Sequence, residues 1–254
     1  FLKDLDPVLH GQFVVERYKE GLTGKHRNVP DPVFSFKKPI FKKKVNLPLA
    51  STNARASDYL KKRKLNPTKF YYTDRFKHFC NTNKPTFEST RNDHERIIIP
   101  MYDENNDLIG FQGRALDAFQ KPKYLTVMLN EDSPKLYGLD TINKEKPVYI
   151  VEGPFDSTLL ENSVAMCGSD VDIRTLGWSN YIWVFDNEPR NRENINRIDK
   201  TIDRGDQVII WPNHIVEKDI NDMVLSGRNV ENLLESNTYS GLEAKLKLKS
   251  WKKV

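Results

Sequence analysis

With 254 residues, 38% of them hydrophobic and 30% charged, the chain is long enough for one large or two small domains with a buried core, and too apolar for general disorder. Its net charge of +5 is unevenly spread: residues 1–145 hold 26 Lys and Arg against 18 Asp and Glu, residues 146–230 hold 9 against 14, and residues 231–254 hold 5 against 3. No apolar run approaches the ~20 residues of a membrane span. Two cysteines without a Cys-x-x-Cys pair and five scattered histidines exclude a structural zinc site and point to reduced thiols.

Taken in chain order, Leu5, Val8, Leu9, Phe13 and Val14 have helical spacing over residues 5–20, with Asp6 as N-cap and Pro7 in the first turn. The opening Phe1-Leu2-Lys3-Asp4 has neither an initiator Met nor a signal-peptide pattern, so the chain reads as a piece of a longer protein. Residues 21–48, rich in Gly, Pro and Lys, read as a basic linker in which Lys37, Lys38, Lys42, Lys43 and Lys44 bracket Pro39-Ile40-Phe41. A helix is expected over 53–65, ending in Lys61-Lys62-Arg63-Lys64 before Asn66-Pro67 stops it. Tyr71-Tyr72 and Phe76-Lys77-His78-Phe79 suggest a strand and a short helix, whose aromatics suit either core packing or base stacking. Residues 96–102 and 108–116 form a hairpin about an acidic turn, with Gly110 and Gly113 allowing close backbone approach or a bulge.

After Pro147 the pattern changes to alternating strands and helices. Strands are expected at 148–151, 163–166, 181–185 and 207–211, and helices at 155–161, 191–203 and 219–225, followed by a helical tail over 229–254. Three of the strands run into acids: Glu152-Gly153, Asp186-Asn187-Glu188 and Lys218-Asp219-Ile220-Asn221-Asp222. In a parallel sheet these ends share the edge where open α/β folds bind ligands, and clustered carboxylates suit hard divalent cations.

These acidic stations resemble the TOPRIM fold. The upstream run from Arg96-Ile97-Ile98-Ile99-Pro100 through Leu108–Leu116 and Lys123-Tyr124-Leu125-Thr126 to Leu136-Tyr137-Gly138-Leu139, together with Tyr59-Leu60-Lys61-Lys62-Arg63-Lys64-Leu65, resembles the basic subdomain of DnaG-type DNA primases, while Glu152-Gly153-Pro154-Phe155-Asp156-Ser157 and Phe185-Asp186-Asn187-Glu188-Pro189-Arg190 are especially similar to primases of T-even-like bacteriophages. The resemblance covers residues 50–225. It implies an α/β fold, a TOPRIM-type parallel sheet flanked by helices and preceded by a basic α+β subdomain. The implied division is an N-terminal helix and linker (1–48), a basic subdomain (49–145), the TOPRIM subdomain (146–230) and a helical tail (231–254). Glu188 stands where the family has a second Asp, which lengthens the ligand arm by one methylene while keeping its charge.

The implied activity is synthesis of short RNA primers on a single-stranded DNA template from ribonucleoside triphosphates. Mg²⁺ or Mn²⁺ would be held by Glu152, Asp186, Glu188 and Asp219, with no zinc in this chain. Arg63, Arg114, Lys123 and Lys135 match positions that bind nucleotide and template. Glu152 reads as ligand or general base, and Asp219 as ligand or helix cap. Asp156 and Asp222 read as a first-turn acid and a peripheral acid, while Arg190 and Arg192 read as triphosphate contacts or a charged helix start. The resemblance also implies a hexameric replicative helicase as partner, a zinc-binding domain elsewhere in the full-length protein, and action in the cytoplasm (the host's, if phage-encoded). The competing readings are a TOPRIM nuclease and a non-catalytic module that binds single-stranded DNA.

Overall fold

The computed structural model describes residue 3 and residues 6–19, 45–168 and 171–254. Most of the expected basic linker, including Lys37 through Lys44, lies outside the described residues. Residues 1–41 and 42–254 form two separate compact units. In the first, helix α1 (Pro7–Lys19) starts where expected: the Asp6 carboxylate accepts the backbone N–H of Val8 and Leu9 at 2.9 and 3.0 Å.

The second unit holds two sheets. A four-stranded antiparallel sheet, β1 (Tyr71–Thr73), β2 (Arg96–Tyr102), β3 (Leu108–Ala115) and β4 (Tyr124–Met128), runs in chain order. Helix α2 (Ala54–Lys62) precedes it, capped by Asn53, and α3 (Phe76–Asn83) follows β1. Every residue of β3 is buried, because the sheet is covered on both faces. Phe76 and Phe79 pack on Phe111, at 6.5 and 4.8 Å between ring centroids, so these aromatics are core rather than base-stacking surface. Gly113 is required there: a Cβ would stand 2.3 Å from the Phe76 ring. The hairpin's irregularity falls between Met101, paired with Gly110, and Tyr102, paired with Leu108, so the extra residue on β3 adjoins Gly110.

The second sheet has the order β10-β9-β8-β6-β7-β5. Its core is parallel: β6 (Val148–Val151), β7 (Ser163–Met166), β8 (Tyr181–Trp183) and β9 (Gln207–Ile209). Two-residue antiparallel strands, β5 (Leu136–Tyr137) and β10 (Thr238–Tyr239), close its edges. Near-continuous apolar runs make strands buried on both faces. Helix α5 (Arg192–Asp203) turns Ile195, Ile198 and Ile202 inward, and Asn191 caps it by accepting the N–H of Glu193 and Asn194. The expected 155–161 helix is the single turn α4 (Pro154–Ser157), and α6 spans Ile220–Leu225. The tail is α7 (Val230–Ser236), β10 and α8 (Gly241–Trp251), so one strand interrupts the expected helices.

From β6 the chain passes to β7 on one side, then crosses to β8 on the other. This is a topological switch, and the carboxyl ends of β6 and β8 flank it. One hydrophobic cluster joins Met101, Ile109 and Met128 of the antiparallel sheet to the core of the parallel sheet, and a second places Phe155 of α4 with Ile97 and Ile99 of β2.

Candidate active site

Glu152 follows β6, and Asp186 and Glu188 follow β8 across the switch. Two contacts from buried side chains fix the β8 end: Trp211 Nε1 donates to the Phe185 carbonyl at 2.8 Å, and Asn194 Nδ2 to the Asp186 carbonyl at 2.7 Å. Asn187, between the two acids, has an equally fixed role. Its Nδ2 donates to the Ile215 and Glu217 carbonyls at 2.9 and 3.0 Å, while its Oδ1 accepts Trp251 Nε1 at 3.0 Å. This strap holds the loop that delivers Lys218 and Asp219 against the loop that carries Asp186 and Glu188.

Glu152 and Asp186 are near enough for their charges to act on one another. Burial, then the charges of Glu152 and Asp156, push the Asp186 carboxyl up to about 7, with Asp219 adding to the effect. Asp156 is likewise pushed up to about 7, by burial and by Asp219, although its Oδ1 accepts the Asn221 N–H at 2.9 Å. Asp156 is therefore part of the cluster, which its place in a short helix gave no reason to expect. Lys218 answers this negative field: its Nζ lies 2.9 Å from Glu188 and 3.6 Å from Asp186. The hydrogen bond from Lys218 holds Glu188 below the usual carboxylate range. Glu152 is paired with Arg197 at 2.8 Å, and Arg197 itself lies over the Phe185 ring at 5.1 Å. Neither Arg197 nor Asn187 was a sequence candidate; a polar pair between distant segments has no periodicity to reveal it.

Asp219 caps α6 by accepting the Asp222 N–H at 2.8 Å, and its charge also acts on Asp156 and Asp186. Among the described residues no group of three His, Cys, Asp or Glu side chains is drawn together as a ready metal cage. The donor set still fits a hard divalent ion: oxygen ligands only, surplus negative charge, and lysine and arginine cations already drawn to it. Mg²⁺ needs only one or two direct carboxylates, with waters and substrate phosphates completing its shell.

Three of the four basic candidates meet beside Asp219. Partial desolvation, then the charges of Arg114, Arg63 and Lys218, lower the Lys123 pKa. Arg63 Nη1 donates to Asn221 Oδ1. Arg114 is only 4% exposed: its Nε donates to Tyr59 Oη at 3.0 Å, and its guanidinium lies 4.5 Å from the Tyr124 centroid and 5.7 Å from that of Phe155. It therefore organises an aromatic floor rather than presenting an open phosphate contact, because β3 is covered on both faces. Lys135 stands apart from the other three and, with Glu152 and Arg197, lines a cleft of about 1010 Å³. Arg190 and Arg192 are exposed at the start of α5. Cys80 and Cys167 are buried free thiols, pushed up to about 12 by burial.

Comparison with known proteins bears on the family and the fold. Residues 82–142 match the family "DNA primase catalytic core, N-terminal domain". Over its whole length the chain is 32% identical to the DNA primase of Enterobacteria phage T4, covering 78% of that protein. The chain belongs to the DNA primase family. Its fold is that of the primase catalytic core: a DNA primase domain from Pseudomonas aeruginosa matches with a TM-score of 0.58 at 20% identity, covering 76% of this chain and 75% of that one. The DnaG primase catalytic domain bound to ssDNA matches with a TM-score of 0.55 at 18% identity, covering 75% of each chain. No helix among the described residues of this primase core is long and apolar enough to cross a membrane.

Proposed function

We propose that the chain synthesises short RNA primers on single-stranded DNA from ribonucleoside triphosphates, as a metal-dependent nucleotidyltransferase. What supports this reading is that Asp186 feels the charges of Glu152, Lys218 and Asp219, and that Lys123 feels those of Arg63, Lys218 and Asp219. Phosphoryl transfer needs such a pairing, because negative charge gathers on the transferred phosphoryl group.

In this reading Asp186 and Glu188, with Glu152 and Asp219, hold Mg²⁺ or Mn²⁺. The bound ion would orient the attacking 3′-hydroxyl and stabilise charge at the α-phosphate. Lys218 balances Asp186 and Glu188 and shifts toward the triphosphate as those carboxylates are engaged. Arg63 and Lys123 bind template or triphosphate phosphates, and Arg114 keeps Tyr59 and Tyr124 in place beneath them. Lys135 meets phosphate from the cleft side.

The basic subdomain 49–145 and TOPRIM subdomain 146–230 are the working halves of this proposal. A hexameric replicative helicase is its partner, with the exposed Leu242 and Leu246 of α8 as the candidate contact, and the cytoplasm is its setting. A template-directed primer assay tests the proposal. Asp186→Ala should abolish synthesis while leaving the fold and most DNA binding intact; full activity in that variant refutes the site, and nicking of DNA without nucleotides favours a nuclease.

A further inference from the structure

Helix α5 sorts its charges to two sides. Asp199 and Asp203 each meet Lys245 of α8 at 2.7 Å. Arg197 and Lys200, one turn apart, instead line the cleft that contains Glu152, and Lys135 joins them from the segment before β5. Besides Glu152 the lining holds one acid, Glu193, exposed in the first turn of α5. Among the described residues no acid is paired with Lys135 or Lys200.

Arg197 is held in place without being used up. Its Nη1 donates to Glu152 Oε1 at 2.8 Å, and its guanidinium lies 5.1 Å from the centroid of the Phe185 ring. Glu152 follows β6 and Phe185 follows β8, so Arg197 spans the topological switch. The two anchors differ in permanence. The side chains of the ion pair are 37% and 32% exposed, and pairs open to water are weak and readily exchanged. Phe185 is buried in the core of the parallel sheet and stays where it is. A guanidinium over an aromatic ring keeps its in-plane N–H groups for other partners. Of its five N–H donors, Arg197 spends one on Glu152. The planar fork matches phosphate oxygens two at a time.

We propose that Arg197 is a substrate-binding residue, whose guanidinium passes from Glu152 to the β- and γ-phosphates of a nucleoside triphosphate in this cleft, with Lys200 as a second contact. The cleft volume of about 1010 Å³ admits such a ligand. The inference rests on the primer-synthesis reading for the class of ligand. In that reading the acids serve the α-phosphate, so cations farther along the cleft meet the terminal phosphates. What it adds is a polyphosphate subsite on the Glu152 side of the centre, apart from Arg63 and Lys123.

The test is equilibrium binding to the whole chain, without synthesis, of Mn²⁺ alone and then of ATP and AMP with Mn²⁺ present. Arg197→Gln should weaken ATP binding by about tenfold or more, the loss expected for a charge-assisted phosphate contact, and leave AMP within about twofold. Mn²⁺ alone should bind the variant as well as the wild type or better, because a nearby cation is gone. Arg197→Lys, which keeps the charge but not the fork, should fall between the two for ATP, and it serves if Arg197→Gln does not fold. If Arg197 merely holds Glu152 in place, Mn²⁺ alone binds the variant more weakly and ATP and AMP lose equally; either result overturns the proposal. ATP affinity equal in wild type and both variants also overturns it, while triphosphate binding stands. Failure of the wild-type chain to bind ATP overturns the underlying reading and this inference together.

Discussion

Arg63 and Asn221 exchange two hydrogen bonds: the guanidinium donates to Asn221 Oδ1 at 3.0 Å, and Asn221 Nδ2 donates to the Arg63 carbonyl at 2.7 Å. The Asn221 backbone N–H meanwhile donates to Asp156 at 2.9 Å. One buried side chain thus ties the end of α2 to α6, and its backbone ties α6 to α4. Asn221→Ala should cost about 1–3 kcal/mol, the penalty for stranding buried polar groups, and should weaken primer synthesis by releasing Arg63. Urea unfolding measures the first effect and the primer assay the second; a variant unchanged in both would remove Asn221 from the site.

A pH dependence follows from Asp156 and Asp186, both with folded-state values of about 7 against an ordinary value near 3.9. A raised carboxyl favours folding while protonated. Its contribution is full below about pH 4 and is lost as pH rises through 7, at up to ~1.4 kcal/mol per pH unit per proton. The metal-free protein should therefore lose stability between pH 4 and 7. Asp156→Asn, which keeps the acceptor for Asn221, should flatten that slope and raise the melting temperature at pH 8. Melting curves across this range decide it, and an unaltered slope in the variant would show that Asp156 does not titrate there.

Protons and metal compete for Asp186 for the same reason. Mn²⁺ affinity should rise with pH up to about 7 and level off above it. Calorimetry at three pH values, one below, one at and one above this midpoint, reads this directly, and a flat profile would argue against Asp186 as a ligand.

Gly113 sets the packing of α3 on the antiparallel sheet. Gly113→Ala would drive a methyl group into the Phe76 ring, 2.3 Å away, and overpacking of this kind costs about 1–3 kcal/mol. Phe76→Leu in the same chain should restore part of the loss, which thermal unfolding of the single and double variants would reveal.

What the sequence made legible was periodic. Apolar runs at 148–151 and 163–166 became strands at those positions, and the acids that follow the runs at 148–151 and 181–185 lie at the same end of the sheet because β6 and β8 are parallel. What stayed hidden was pairwise. Asn187, Arg197 and Asn221 act across separations of 28 to 158 residues, and nothing local distinguishes them from surface polar residues. Arg114 was visible as unusual, but its burial depends on α4 covering a strand that carries no alternation. The short span of α4 follows from its ends, Pro154 at the first position and Leu159-Leu160 turning into β7.

The indole of Trp251 grips Asn187 sixty-four positions upstream, and the Lys253 N–H reaches the Pro189 carbonyl at 2.8 Å. The last turn of α8 is thereby mechanically continuous with the acidic loop. A version of the protein shortened to end at Ser240 would keep every carboxylate of the cluster yet lose the clasp that sets their spacing, so where the C-terminus is cut governs whether an otherwise intact centre is assembled.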